Sequence, residues 1–260
     1  MIFAEIQHKI QIAKQLDFGQ ILNDSIELFK KVWLQGFIML MIMIAFVIPF
    51  VIVIYLPMVF FAIADAESPG FFGGMEAIAV LFFLMAYMVF GFFMVVISFG
   101  LKAGFYKIMR QKDIDSLEKD DFFFFLRKPY LFKTINLSLA YFGISVLAML
   151  LCVFPVIYVM VPLNLLVVIY AFNPELSNSN LIKASFDLGN KKWFITFGIT
   201  LVAGILAQMV GMLMCGIGLF VTISFAAIPL YIIYKEIIGF NEGPIEIRQI
   251  GNKQNNNATF

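Results

Sequence analysis

Residues 193–234 read WFITFGITLVAGILAQMVGMLMCGIGLFVTISFAAIPLYIIY, 42 positions from Trp193 to Tyr234 without an Asp, Glu, Lys or Arg. A helix crosses the hydrocarbon of a bilayer in ~20 residues, so this run is about twice the length one span needs. Gly216 and Gly218 stand near its middle and supply a turn. The stretch therefore reads as a transmembrane hairpin. Thr134–Pro174 repeats the design with 41 uncharged residues and Pro155 near the centre. Val32–Ala64 (33 residues) and Ala77–Leu101 (25 residues) are one span each. The chain is thus expected to be all-α and polytopic. Its six transmembrane helices fall near 33–63, 77–105, 131–151, 153–173, 193–214 and 217–238.

Composition supports this class. Of 260 residues, 62% are hydrophobic and 13% charged, whereas soluble domains are roughly 45–50% apolar and about 25% charged. All 18 Lys and Arg residues fall on one side of a six-span arrangement, and the other side carries only Asp65, Glu67 and Glu76. The positive-inside rule then places both termini in the cytoplasm. Residues 1–16 lack the apolar core and small-residue cleavage site of a signal peptide, so the first span is expected to serve as its own insertion signal. A net charge of +1 provides no bulk field for nucleic acid.

The chain carries an internal repeat. An offset of 160 aligns Ser25, Glu27, Leu28, Lys31 and Trp33 with Ser185, Asp187, Leu188, Lys191 and Trp193. A weaker third copy ends Arg127-Lys128-Pro129-Tyr130, with Tyr130 in the tryptophan position. Aromatic residues recur downstream at Tyr106, Tyr170 and Tyr234. The expected organisation is one membrane domain over 1–240, with units near 17–112, 113–175 and 176–240, and a polar tail over 241–260. Each unit would be a hairpin preceded by a cytoplasmic amphipathic helix lying flat in the interface. Asp17 caps the first of these, with Phe18, Ile21, Leu22, Ile26 and Phe29 on one face. The middle one starts near Ser116 and dips Phe122–Phe125 into the interface. Asn178 or Ser179 caps the third, over Leu181, Ile182, Ser185, Phe186 and Gly189. Ile2, Ile6, Ile10 and Ala13 form a further apolar stripe. Lys30, Lys31, Trp33, Arg127, Lys128, Tyr130, Lys191, Lys192 and Trp193 make up the expected membrane border, with lysines on lipid phosphates and aromatics at headgroup depth.

The stretch from Phe18 to Lys31, and Ala184-Ser185-Phe186-Asp187-Leu188 through Trp193 to Pro229-Leu230-Tyr231-Ile232-Ile233-Tyr234-Lys235, resemble bacterial six-span membrane proteins. These are similar to the membrane domain attached to some glycerophosphoryl diester phosphodiesterases. The resemblance implies a fold and a topology. It implies no activity, because the phosphodiesterase chemistry of that family sits in a separate soluble barrel absent from this chain.

Residues that carry chemistry are sparse. The middle portions of the spans hold no Asp, Glu, His or Arg, and His8 is the only histidine. No catalytic set, cofactor or metal site is expected, and the absence of intramembrane charge argues against ion coupling. Asn136, Asn164 and Gln208 are the largest polar side chains inside the spans; they line a small polar site or pair helices. Asp113, Asp115, Glu118, Asp120 and Asp121 read as a solvated connector. Gly100 and Gly104, and the ladder Ala203, Ala207, Gly211 and Cys215, allow close helix approach, internally or to a partner subunit. Cys152 and Cys215 each lie 22 residues after a border aromatic, at the outer hairpin tips, as turn residues or as a disulfide pair. The expected partners are the lipid bilayer and other membrane protein subunits, with no nucleic acid. The expected function is that of a non-enzymatic scaffold or accessory subunit of a membrane complex, export or envelope related. The alternative is a carrier or channel for a small or lipid-like substrate.

Overall fold

The structure is a computed structural model that describes residues 1–67, 76–151, 153–214 and 216–240. Among these residues the chain is all-α, with no strand. The elements are α1 (Phe3–Gln11), α2 (Phe18–Glu67), α3 (Glu76–Asp113), α4 (Leu131–Leu151), α5 (Val153–Phe172), α6 (Asn178–Lys191), α7 (Trp193–Leu213), α8 (Ile217–Thr222) and α9 (Ile228–Ile237). Six segments are long and apolar enough to cross a membrane. They lie in α2, α3, α4, α5 and α7, with α8 and α9 together making the sixth. They match the six expected spans.

The local reasons are legible. Asp17 Oδ1 accepts the Gln20 amide at 2.7 Å and starts α2. Pro155 falls in the first turn of α5, where a missing N–H is no loss. Gly216 takes φ +81° between α7 and α8, a left-handed turn that a residue with a Cβ resists. The sixth span tightens to a 3₁₀ stretch over Ile223–Ala227. Pro229 follows it and cannot accept a full α-helical geometry on the preceding turn.

Three expectations about amphipathic helices are corrected. The first stretch does not lie flat, because residues 18–31 and the span beyond form one unbroken helix of 50 residues, Phe18–Glu67. No glycine or proline intervenes between Phe29 and Gly36 to bend the chain off the span. The middle unit has no α-helix near Ser116. Between α3 and α4 the described chain forms a 3₁₀ turn, Phe124–Leu126, and Phe122 and Phe125 turn inward and are buried. Here side chains bond the local backbone in competition with a helix: Ser116 Oγ accepts the Glu118 amide and Asp121 Oδ1 accepts the Phe123 amide. The third helix, α6, is capped by Ser177, whose side chain accepts the Asn180 amide. Its buried face, Leu181, Ala184, Ser185, Leu188 and Gly189, covers protein. It folds back along α5, and a Cβ on Gly189 would lie 3.0 Å from Pro162. Helix α1 then packs on α6 with Ile6 and Ile10 buried.

The largest buried side chains collect where α3, α5, α9 and the segment between α3 and α4 meet: Tyr170, Tyr231, Tyr234, Phe105 and Phe125. Thr134 Oγ1 donates to the Phe125 carbonyl at 2.8 Å and lies 2.8 Å from the Tyr170 hydroxyl. Asn173 Nδ2 donates to the Tyr234 hydroxyl at 2.7 Å. Away from this region the helices expose their apolar surface. Only 11% of the apolar windows of α2 and α3 is buried, against 56% in α5 and 61% in the sixth span. The windows of α4 and α7 lie between, at 22% and 28%, so the outer parts of α2 and α3 are the least covered of the six spans.

Candidate functional site

The five carboxylates expected to form a solvated connector are instead strapped to the helices. Asp113 accepts from the Tyr231 hydroxyl at 2.8 Å and from Lys235 at 2.7 Å. Asp115 pairs with Lys31 at 3.0 Å. Glu118 accepts from Gln111 Nε2 at 2.7 Å, and Asp120 is held by Lys112 and Gln35, both at 3.1 Å. Asp121 pairs with Arg127 at 3.1 Å. This network draws the ends of α2, α3 and α9 onto one connector. Spacing gave no hint of it, because the partners lie up to 122 residues apart.

The border residues divide by partner. Lys30 pairs with Glu27 at 2.7 Å, while Trp33 stays 45% exposed. Lys128 is exposed, and Tyr130 packs on Phe124 and Phe125 with ring centroids at 5.0 and 5.7 Å. Lys191 donates to the Gln11 carbonyl, and Lys192 donates to the Lys14 carbonyl at 2.6 Å. These two lysines therefore reach the backbone that follows α1. Burial pushes the Lys192 ammonium below its ordinary range, and neighbouring Lys191 adds to the effect. The downstream tyrosines at the other borders, Tyr106, Tyr170 and Tyr234, are core residues at 3%, 0% and 1% exposure.

Both small-residue ladders serve internal contacts. A Cβ on Gly104 would stand 2.5 Å from the Phe122 carbonyl oxygen, and one on Gly100 would stand 2.5 Å from Leu126. The glycines of α3 thus admit the connector rather than another span. On α7, Ala203, Ala207 and Gly211 are buried. Thr222 Oγ1 donates to the Ala207 carbonyl at 2.7 Å, and Gly211 meets Leu219. The polar trio is not assembled: Asn136 and Gln208 are exposed and Asn164 is half-buried. A polar side chain on the outward face of its helix cannot line an internal path. Cys152 and Cys215, with the proposed bond between them, lie outside the described residues, as does the tail 241–260.

A groove of about 430 Å³, missed in the sequence, opens where α5, α6 and α7 meet. Phe154, Ile157 and Tyr158 form one wall, Trp193 and Phe194 another, and Asn190 closes an end. Trp193 Nε1 donates to the Tyr158 carbonyl at 3.0 Å, and the Tyr158 hydroxyl donates to Asn190 Oδ1. The Trp193 ring stacks on Phe197 at 4.8 Å. Only the return of α6 along α5 brings residues 154–158 to residue 193.

These features define a polytopic integral membrane protein with six helical spans. No family model, curated protein or solved structure matches the chain.

Proposed function

We propose that the chain is a non-enzymatic subunit of a larger assembly in a bacterial inner membrane, a scaffold or accessory protein with both termini in the cytoplasm. The observation that carries this reading is the exposed outer surface of α2 and α3. Their apolar windows are only 11% buried, and their outer surfaces are rich in aromatics, with Phe82 at 67% and Tyr87 at 63% exposure. The exposed outer parts of these two helices suit association with other spans, which in lipid depends on packing rather than on hydrophobic drive. The resemblance to the membrane domain of glycerophosphoryl diester phosphodiesterases belongs to the same reading, since that domain is distinct from the catalytic barrel. The carrier alternative draws no support from Asn136 and Gln208, which face outward.

The test is site-specific photocrosslinking in native membranes, with probes at Leu56 and Met85 on the outer parts of α2 and α3 and at Leu201 on α7 as control. All three positions are exposed. A defined protein adduct at Leu56 and Met85, absent at Leu201, is the expected result. Lipid adducts alone, together with extraction as a lone monomer in mild detergent, would overturn the reading.

A further inference from the structure

The two tryptophan borders are sequence equivalents that the fold has made unlike. Beside Trp33, Lys30 is neutralised by Glu27 and Lys31 by Asp115. Beside Trp193, Lys191 and Lys192 donate to backbone carbonyls. Among the described residues neither is in an ion pair. The one carboxylate of α6, Asp187, accepts from Gln7 at 3.2 Å. A carbonyl dipole satisfies one of the three N–H groups of an ammonium and leaves its charge standing. Two adjacent charges of one sign, next to an open apolar groove in a membrane protein, form a matched pair of surfaces for an amphiphile of opposite charge.

We propose that the groove bounded by Phe154, Ile157, Tyr158, Asn190, Trp193 and Phe194 holds an acyl chain of an anionic phospholipid, whose phosphate is drawn to Lys191 and Lys192. The apolar wall and the charge divide the work. Phe154 and Phe194, at 85% and 86% exposure, present rings for a chain to cover. Asn190 joins the groove to the lysines in the sequence, being followed directly by Lys191 and Lys192. Asn190 and Trp193 both line the groove, so the backbone of Lys191 and Lys192 lies at its edge. Burial first, and Lys191 second, lower the Lys192 pKa, and a phosphate there would favour the charged form. Lysine suits this role as a point charge. Zwitterionic lipid offers the same chains without net charge, so discrimination rests on the lysine pair. The site is independent of the scaffold reading and requires only that the protein sit in a membrane.

The chain has two tryptophans, Trp33 and Trp193, so each border can report alone. The full-length protein is reconstituted as Trp33→Phe (Trp193 reporting) and as Trp193→Phe (Trp33 reporting). The vesicles mix unlabelled phosphatidylcholine with either brominated phosphatidylglycerol or brominated phosphatidylcholine. The expected result is preferential quenching of Trp193 by the anionic lipid, with an advantage of about fivefold for each uncompensated lysine at a charged surface. Trp33 should show no such advantage. Raising the salt should shrink the Trp193 preference toward unity in the otherwise unaltered chain. Lys191→Gln with Lys192→Gln should abolish it, and Lys191→Arg with Lys192→Arg should keep it. Equal quenching of Trp193 by the two lipids, an equal preference at Trp33, or a preference that survives high salt would overturn the proposal. Loss of the preference on adding millimolar inorganic phosphate at constant ionic strength would also overturn it, in favour of a free-anion site.

Discussion

At the scale of single residues, the glycines of α3 show how a small side chain can be required by a connector. The backbone oxygen of Phe122 occupies the space of a Gly104 Cβ, and a backbone atom yields less readily than the end of a flexible side chain. Gly104→Ala should lower stability by about 1–3 kcal/mol, the usual effect of overpacking. Gly91→Ala, where a Cβ meets nothing within 4 Å, should leave the melting temperature of the detergent-purified protein unchanged or raised. An equal shift for both would show that the connector does not seat on α3. Thr134 makes a second test. Its hydroxyl serves the Phe125 carbonyl and the Tyr170 hydroxyl inside the core. Thr134→Val keeps the shape and leaves both without that partner, which costs about 1–3 kcal/mol; Thr134→Ser should recover most of the loss.

At the scale of elements, the connector between α3 and α4 is held by five carboxylates with partners on three helices and on the connector itself. The pairs are partly exposed, with side chains of Lys31 and Asp115 at 46% and 81%. Each alone contributes little, and salt screens it. Their sum decides whether the segment stays seated. Limited proteolysis after Lys119 should be slow in low salt and faster in high salt. Lys31→Gln combined with Lys112→Gln should give the fast rate at low salt. A rate indifferent to both would mean that the buried rings of Phe122 and Phe125, rather than the charges, hold the connector.

The elements also show why sequence reading succeeded unevenly. The α5 and α7 spans were legible because charge must stop at a membrane boundary. Pro155 and Gly216 were legible because their backbone limits are intrinsic. The expectation of flat helices failed at α6 for a different reason. A stripe such as Leu181, Ala184, Leu188 records that one face is buried, not what buries it. The same stripe fits lipid or a neighbouring helix, and here Pro162 and Gly189 make the neighbour α5.

At the scale of the whole molecule, the six spans and the lateral segregation of basic residues predict a topology. In a chain with Cys152 and Cys215 replaced by serine, Leu117→Cys should react with an impermeant maleimide only after the membrane is opened. Ala66→Cys should react from outside intact cells. Both positions are exposed. Labelling on the same side would invert or break the six-span order. The length of α2 is a related matter. At 50 residues it is about 75 Å long, against a hydrocarbon thickness of about 30 Å. Its first turns therefore belong to the packed part of the molecule, where Val32 and Met39 are buried, and only its outer part can serve as a surface for partners.

Sequence alone determined the class, the number of spans and the distribution of charge. Each follows from a cost paid locally: an ion or an unpaired backbone group in hydrocarbon is expensive wherever the rest of the chain lies. Tertiary structure decided which side chains meet. It scattered Asn136, Asn164 and Gln208, which hydropathy makes look alike. It strapped the acidic connector and, among the described residues, left Lys191 and Lys192 without acids such as those that neutralise Lys30 and Lys31. The repeat wrote the same residues at both borders, but a side chain's partner is a property of distance in space. That distance was set only when α6 turned back along α5.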